Sequence, residues 1–184
     1  MYFRKIIKNN IKYGIIIYIV FLILGFLLGK LTNLEILDPN TRNMSQDEGI
    51  YLFATILKTN ILAIFSIIKG IFVFGACSFK NLIINAYVLG YNIAIPLIHG
   101  ESLIFVISIF IFHGVIEISA IILSFSVGIV MLKAILELDY IDYKSINWRL
   151  EIIELIKCII LILLMVVLSA AMEAYISIPL FAVN

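Results

Sequence analysis

Two ionisable side chains stand four residues apart in an otherwise apolar stretch, Phe112-His113-Gly114-Val115-Ile116-Glu117-Ile118-Ser119-Ala120. On a helix that spacing brings His113 and Glu117 to one face. There they can relay a proton, hold one another by a hydrogen bond, or offer a metal two ligands. A further carboxylate, Glu173, lies in the last apolar run beside Ala170 and Ala171, with Ser169 and Ser177 at spacings of four on either side. Amides and hydroxyls recur in the same way. Ser78, Asn81, Asn85 and Asn92 share one face of a third segment, and Thr55, Thr59, Ser66 and Gly70 are gathered in a second, next to Lys58 and Lys69. An isolated carboxylate in such surroundings would lose its hydration, so Glu117 and Glu173 are expected to be protonated or paired. HExxH is absent and a structural His–Glu contact suffices for His113 and Glu117, so neither a metal nor any other cofactor is expected. Proton relay through Glu117 or Glu173 is the sharper reading.

Helices that lie in lipid must position these groups. Of 184 residues, 64% are hydrophobic and only 14% charged, and the mean hydropathy is +1.18. Soluble domains carry about 25% charged residues, and here the shortage of charge extends over nearly the whole length. The predicted class is all-α, a polytopic transmembrane bundle forming a single integral membrane domain over 1–184. A crossing helix needs about 20 apolar residues, which gives spans near 13–31, 50–74, 80–98, 103–132 and 158–178. The polar stretch Thr32–Gly49, with Asp38-Pro39-Asn40 and Asp47-Glu48, follows the first span. A break near Gly75–Lys80 separates the second from the third. His99-Gly100-Glu101-Ser102 is a tight polar turn, and Pro179 closes the last span. Trp148, in the mixed-charge segment Lys133–Lys157, is a candidate interface anchor. Lys69 can snorkel toward the membrane surface. Arg4, Lys5, Lys8 and Lys12 before Tyr13–Leu28 resemble the start of a signal peptide. The run ends in Gly29-Lys30-Leu31 without a small-x-small cleavage site, so it reads as a retained span.

Lysine and arginine set the orientation. With the N-terminus inside, the inner segments hold Arg4, Lys5, Lys8, Lys12, Lys80, Lys133, Lys144, Arg149 and Lys157, and the outer ones plainly hold only Lys30 and Arg42. That bias predicts the N-terminus inside and the C-terminus outside. At about 100° per residue, His113, Glu117, Ala120, Ser124 and Gly128 form one stripe that admits a neighbouring helix. Gly25 and Gly29 form a GxxxG pair, which suits either a contact inside the monomer or a dimer seam. A formal net charge of +1 argues against nucleic acid as a partner. Cys77 and Cys158 have no zinc or CxxC spacing and read as small packing residues.

The stretch His113-Gly114-Val115-Ile116-Glu117-Ile118-Ser119-Ala120 resembles the signature of the stage II sporulation protein M family, a Pro-His-Gly segment followed by glutamate and a small residue. Asn85…Gly90 stands where that family has an Asn-Gly…Gly motif, after an upstream Asn60…Gly70 pattern. Ala170-Ala171-Met172-Glu173-Ala174-Tyr175 is similar to its Ala-x-x-Glu-(aromatic) ending. The resemblance covers nearly the whole chain. Phe112 replaces the usual proline, and Ala86 the glycine after Asn85. It marks His113, Glu117, Glu173, Asn85 and Asn60 as functional intramembrane polar residues, and Gly70, Gly90, Gly114 and Gly128 join Gly25 and Gly29 as helix-packing residues. The family's namesake acts in sporulation engulfment as a scaffold for partners that remodel peptidoglycan. Other members accompany ABC transporters, including those of circular bacteriocins, where maturation, export or immunity is served.

The resemblance implies a non-catalytic subunit or scaffold of a bacterial envelope or ABC-transporter-linked complex, multi-pass in the cytoplasmic membrane. Its partners would be membrane lipids and other membrane subunits: an ABC transporter ATPase or permease, or peptidoglycan-remodelling proteins, with a homo-oligomer also open. Gly25…Gly29-Lys30 has three intervening residues where a P-loop needs four, so any ATPase belongs to a partner. Two alternatives stand beside this. A proton-coupled permease would use Glu117, Glu173 and His113, although no inverted repeat is visible. An intramembrane peptidase for peptide maturation would have only the same three residues, with no GxSG serine, no paired aspartates and no HExxH. No enzyme activity is favoured.

Overall fold

The computed structural model describes residues 2–32, 46–136 and 146–177, and the secondary structure there is all helical. Helix α1 is Tyr2–Leu31, and α2, Gln46–Ile68, runs into a 3-10 turn at Lys69–Val73. Helices α3 (Ala76–Ile98), α4 (Leu103–Gly128), α5 (Val130–Leu136) and α6 (Trp148–Met172) follow, and a π-helical turn closes the last at Glu173–Ser177. Among the described residues, five segments are long and apolar enough to cross a membrane: Tyr2–Leu31, Gly49–Val73, Ala76–Ile98, His113–Leu136 and Trp148–Ser177. Asp38-Pro39-Asn40, Arg42, Lys144 and Pro179 lie outside the described residues.

Both outer helices start earlier than the apolar runs alone suggest. In α1 the residues before Tyr13 are helical, with Phe3, Ile6, Ile7, Asn10 and Gly14 buried while Arg4, Lys5 and Lys8 face out. That is the three-four spacing of an amphipathic helix, carried past the lysines. The first turn has its own anchor, because the Glu151 carboxylate accepts the backbone N–H of Tyr2 at 2.7 Å and of Phe3 at 2.8 Å. An anion suits a helix N-terminus, where N–H groups lack partners and the dipole is positive. Helix α6 likewise begins at Trp148, capped by Asn147, whose side chain accepts from the Leu150 N–H. The Trp148 ring meets Phe3 edge-on at 6.1 Å, so the starts of α1 and α6 are joined.

Turns are made where glycine allows them. Between α2 and α3, Phe74 and Gly75 take φ of 50° and 83°, and the Gly75 N–H returns to the Gly70 carbonyl at 2.7 Å. The fourth apolar segment does not continue as one helix to residue 132. It breaks at Gly128–Ile129 and resumes as α5. The break coincides with a crowded junction, where a Cβ on Gly128 would stand 2.6 Å from the Ile67 carbonyl and a Cβ on Gly70 would run into Ser78. Ser78 donates to that Ile67 carbonyl at 2.7 Å. Lipid supplies no water to satisfy a carbonyl released at a helix end, so a side chain must do so.

Helix α1 packs chiefly on α3 and α4 on α6, while α2 touches α3, α4 and α6. Glycine sets the α1–α3 approach. A Cβ on Gly25 would strike the Tyr87 carbonyl, one on Gly90 the Leu22 carbonyl, and one on Gly29 would be 2.7 Å from Ala94 Cβ. The GxxxG pair is therefore occupied within the chain, its glycine face turned to α3. The core is built on Ile64, Ile67, Leu82, Phe125, Ile162 and Val166, with Phe79 edge-on to Phe125 at 5.0 Å. The outward side of α1 (Ile15, Ile16, Ile19, Ile23, Leu27) is exposed, as a lipid-facing surface should be.

Candidate functional site

The polar stripe of α4 divides at its middle. Ala120 and Ser124 are fully buried, and Ser124 donates to the Ala120 carbonyl at 2.6 Å, so this half is tight packing. Toward the N-terminus of the helix the same stripe opens into a cavity of about 310 Å³. His113, Gly114 and Glu117 form one wall, Thr55, Thr59 and Asn60 of α2 another, Asn85 and Asn92 of α3 a third, and Glu173 and Tyr18 complete it. The side-chain ligand atoms of His113, Glu117 and Glu173 all lie within 4.8 Å of one another.

The polar stripe at the end of the last span turns both of its serines to His113. Ser169 donates to the His113 carbonyl at 3.1 Å, and Ser177 Oγ is 3.0 Å from His113 Nδ1. Glu173, between them in the stripe, reaches the cavity. Glu173 and Ser177 bound the π-helical turn. Such turns shift the register of side chains and often mark functional positions. Hydroxyl and imidazole are at the spacing of a nucleophile and its base. Ser177, however, is only 1% exposed and is not among the residues lining the cavity, so it holds the ring rather than facing a substrate.

The asparagines and threonines have different tasks. Asn81 bridges α3 to α2, donating to Ser66 Oγ at 3.0 Å and also to the Cys77 carbonyl. Asn85 donates to the Asn81 carbonyl at 2.8 Å within its own helix while lining the cavity. Thr55 and Thr59 each return their hydroxyl to the carbonyl four residues back. Asn60 Nδ2 is buried and has no hydrogen-bond partner. Buried amides nearly always find one, so an orphan beside a cavity asks what acceptor belongs there.

His113, Glu117, Glu173, Asn85 and Asn60 thus come together around one space. Gly25, Gly29, Gly70, Gly90 and Gly128 lie at close helix approaches, whereas Gly114 does not, since a Cβ there would meet only Phe110 Cβ at 3.8 Å. Gly114 instead lines both the polar cavity and an adjoining apolar groove that includes Leu22, Ile93, Ile107 and Val115. Tyr18 and Glu151 escaped the sequence reading. Tyr18 is an aromatic in an apolar run, and nothing local links Glu151 to residues 148 and 149 positions away. Lys58 and Lys69 are exposed, and Cys77 and Cys158 are free thiols.

The sequence profile of the stage II sporulation protein M family matches residues 14–178. An uncharacterized protein of Methanocaldococcus jannaschii is 28% identical over 169 residues, covering 90% of this chain and 94% of that one. No solved structure matches. That relative is archaeal, so the match extends beyond the bacterial membrane in which the sequence reading set the chain.

Proposed function

Since the chain belongs to the stage II sporulation protein M family of multi-pass membrane proteins, we propose that it is a non-catalytic membrane subunit of an envelope or ABC-transporter-linked complex, and that its intramembrane cavity handles a cation for that complex. The observation carrying this reading is the convergence of His113, Glu117 and Glu173 within 4.8 Å inside an apolar bundle. Ionisable groups among transmembrane helices are costly, and they persist where an ion or proton is bound or moved. Partner dependence is supported by the architecture. The described chain is almost entirely helix, with short connections at Phe74–Gly75 and His99–Ser102, and offers little beyond the membrane on which separate chemistry would stand. The lysine and arginine bias supports an inside N-terminus.

The test is purification from the native membrane in mild detergent, with Glu117→Gln alongside. Stoichiometric membrane partners are expected with both forms, and the pH dependence of the complex's activity is expected to disappear in the variant. A protein that purifies alone from native membranes would overturn the subunit reading. A second reading, a proton-coupled permease, is favoured by the paired carboxylates of the cavity. It predicts pH-driven flux by the isolated protein in vesicles, abolished by Glu117→Gln.

A further inference from the structure

We propose that His113, Glu117 and Glu173 form a binding site for one divalent first-row transition metal ion, with a fourth coordination position open to the cavity. This rests on the cation-handling reading above and gives the cation a chemical class. Helix spacing alone brings only His113 and Glu117 to one face. The third ligand arrives because α6 packs against α4 and its π-helical turn begins at Glu173.

The donor set and its geometry fit such an ion. One imidazole and two carboxylates suit zinc, manganese, iron or cobalt rather than the all-oxygen shells of magnesium and calcium. Bonds of about 2.0–2.2 Å in a tetrahedral site put ligand atoms roughly 3.4 Å apart. The three donors already lie within 4.8 Å of one another, and χ-angle adjustments of two glutamates close that gap. Charge argues the same way. Two carboxylates in a low-dielectric interior repel, and a divalent ion with a neutral imidazole makes the cluster neutral overall.

The surroundings have the features of a metal's outer shell. A ligating histidine usually has its other ring nitrogen held by a hydrogen bond that fixes ring orientation. Ser177 occupies Nδ1, which leaves Nε2 to ligate, and Ser169 fixes the backbone of the same residue. In the lining of the same cavity, the buried Asn60 Nδ2 without a partner is a donor lacking an acceptor. A water or hydroxide held in that cavity would supply one. Three protein ligands and one open position leave the ion a site at which it can exchange a bound water, unlike the closed four-ligand shell of a structural zinc.

The experiment uses the full chain in detergent, stripped with a chelator and titrated separately with Zn²⁺, Mn²⁺ and Co²⁺ by calorimetry, with metal content measured after desalting. One equivalent of at least one ion is expected. Ser177→Ala should weaken binding about 10–100-fold, and Glu117→Gln, Glu173→Gln and His113→Gln should weaken it further. Glu101→Gln, an exposed carboxylate in the α3–α4 turn, should change nothing. If the ligand variants do not fold, unmodified protein decides the matter: its unfolding temperature should rise with metal concentration and Co²⁺ should give a ligand-field spectrum of mixed nitrogen and oxygen donors. Failure of wild-type protein to take up any of the three ions overturns the metal site, as does uptake that survives both glutamine substitutions. If metal uptake fails but Glu117→Gln still removes the pH dependence, the cavity handles protons and only the metal is lost; if both fail, the cation reading falls with it.

Discussion

Single residues decide where this bundle is tight and where it is open, and glycine shows the contrast most directly. At Gly90 an added Cβ would collide with the Leu22 carbonyl, and backbone cannot swing aside as a side chain can. Gly90→Val should therefore destabilise by about 3 kcal/mol, the upper end of overpacking. At Gly114 an added methyl would meet only Phe110 Cβ at 3.8 Å, and alanine is the better helix former by about 1 kcal/mol. Gly114→Ala should be neutral or slightly stabilising to thermal unfolding in detergent. A large loss at Gly114, or none at Gly90, would contradict this geometry. The sequence makes the two glycines look alike. The difference comes from what stands opposite: the backbone of α1 in one case, the wall of a cavity in the other.

Among the elements, α1 begins at Tyr2, ahead of the span read from Tyr13, because the lysine-rich residues 4–12 end the apolar run but not the helix. The buried residues Phe3, Ile6, Ile7 and Asn10 were there to be read, but their capping partner was not, since Glu151 lies in another helix. Glu151→Gln removes the charge from two hydrogen bonds to the start of α1. Charge-assisted bonds of this kind contribute about 1.5–3 kcal/mol. The expected result is faster amide exchange confined to the first turns of α1, with the rest of the bundle unaffected. Unchanged exchange at Phe3 would show that the carboxylate does not hold that end. The α4–α5 break belongs to the same scale. Gly128 is legible as a small residue, but that the helix ends there depends on Ser78 and Ile67 meeting it from two other elements.

For the whole molecule the prediction concerns the membrane. In a background lacking Cys77 and Cys158, a cysteine replacing Glu101 should react with an impermeant thiol reagent from outside the cell. One replacing Arg149 should react only after the membrane is opened. The reverse pattern would invert the orientation drawn from lysine and arginine. Composition and pattern alone determined that the chain is a bundle of membrane-crossing helices, approximately where those helices run, and which polar groups are too costly to leave in lipid. These follow from the chain's own hydropathy and the length of an apolar helix, and need no knowledge of neighbours. Tertiary structure alone decided that Glu173 joins His113 and Glu117, that Ser177 holds the imidazole, and that Asn60 is left without an acceptor. It also decided that the GxxxG face meets α3 within the chain. Periodicity assigns a residue to a face of its own helix; which face of which other helix stands opposite is fixed only by packing, over separations of 56 and 64 residues in the two serine contacts to His113.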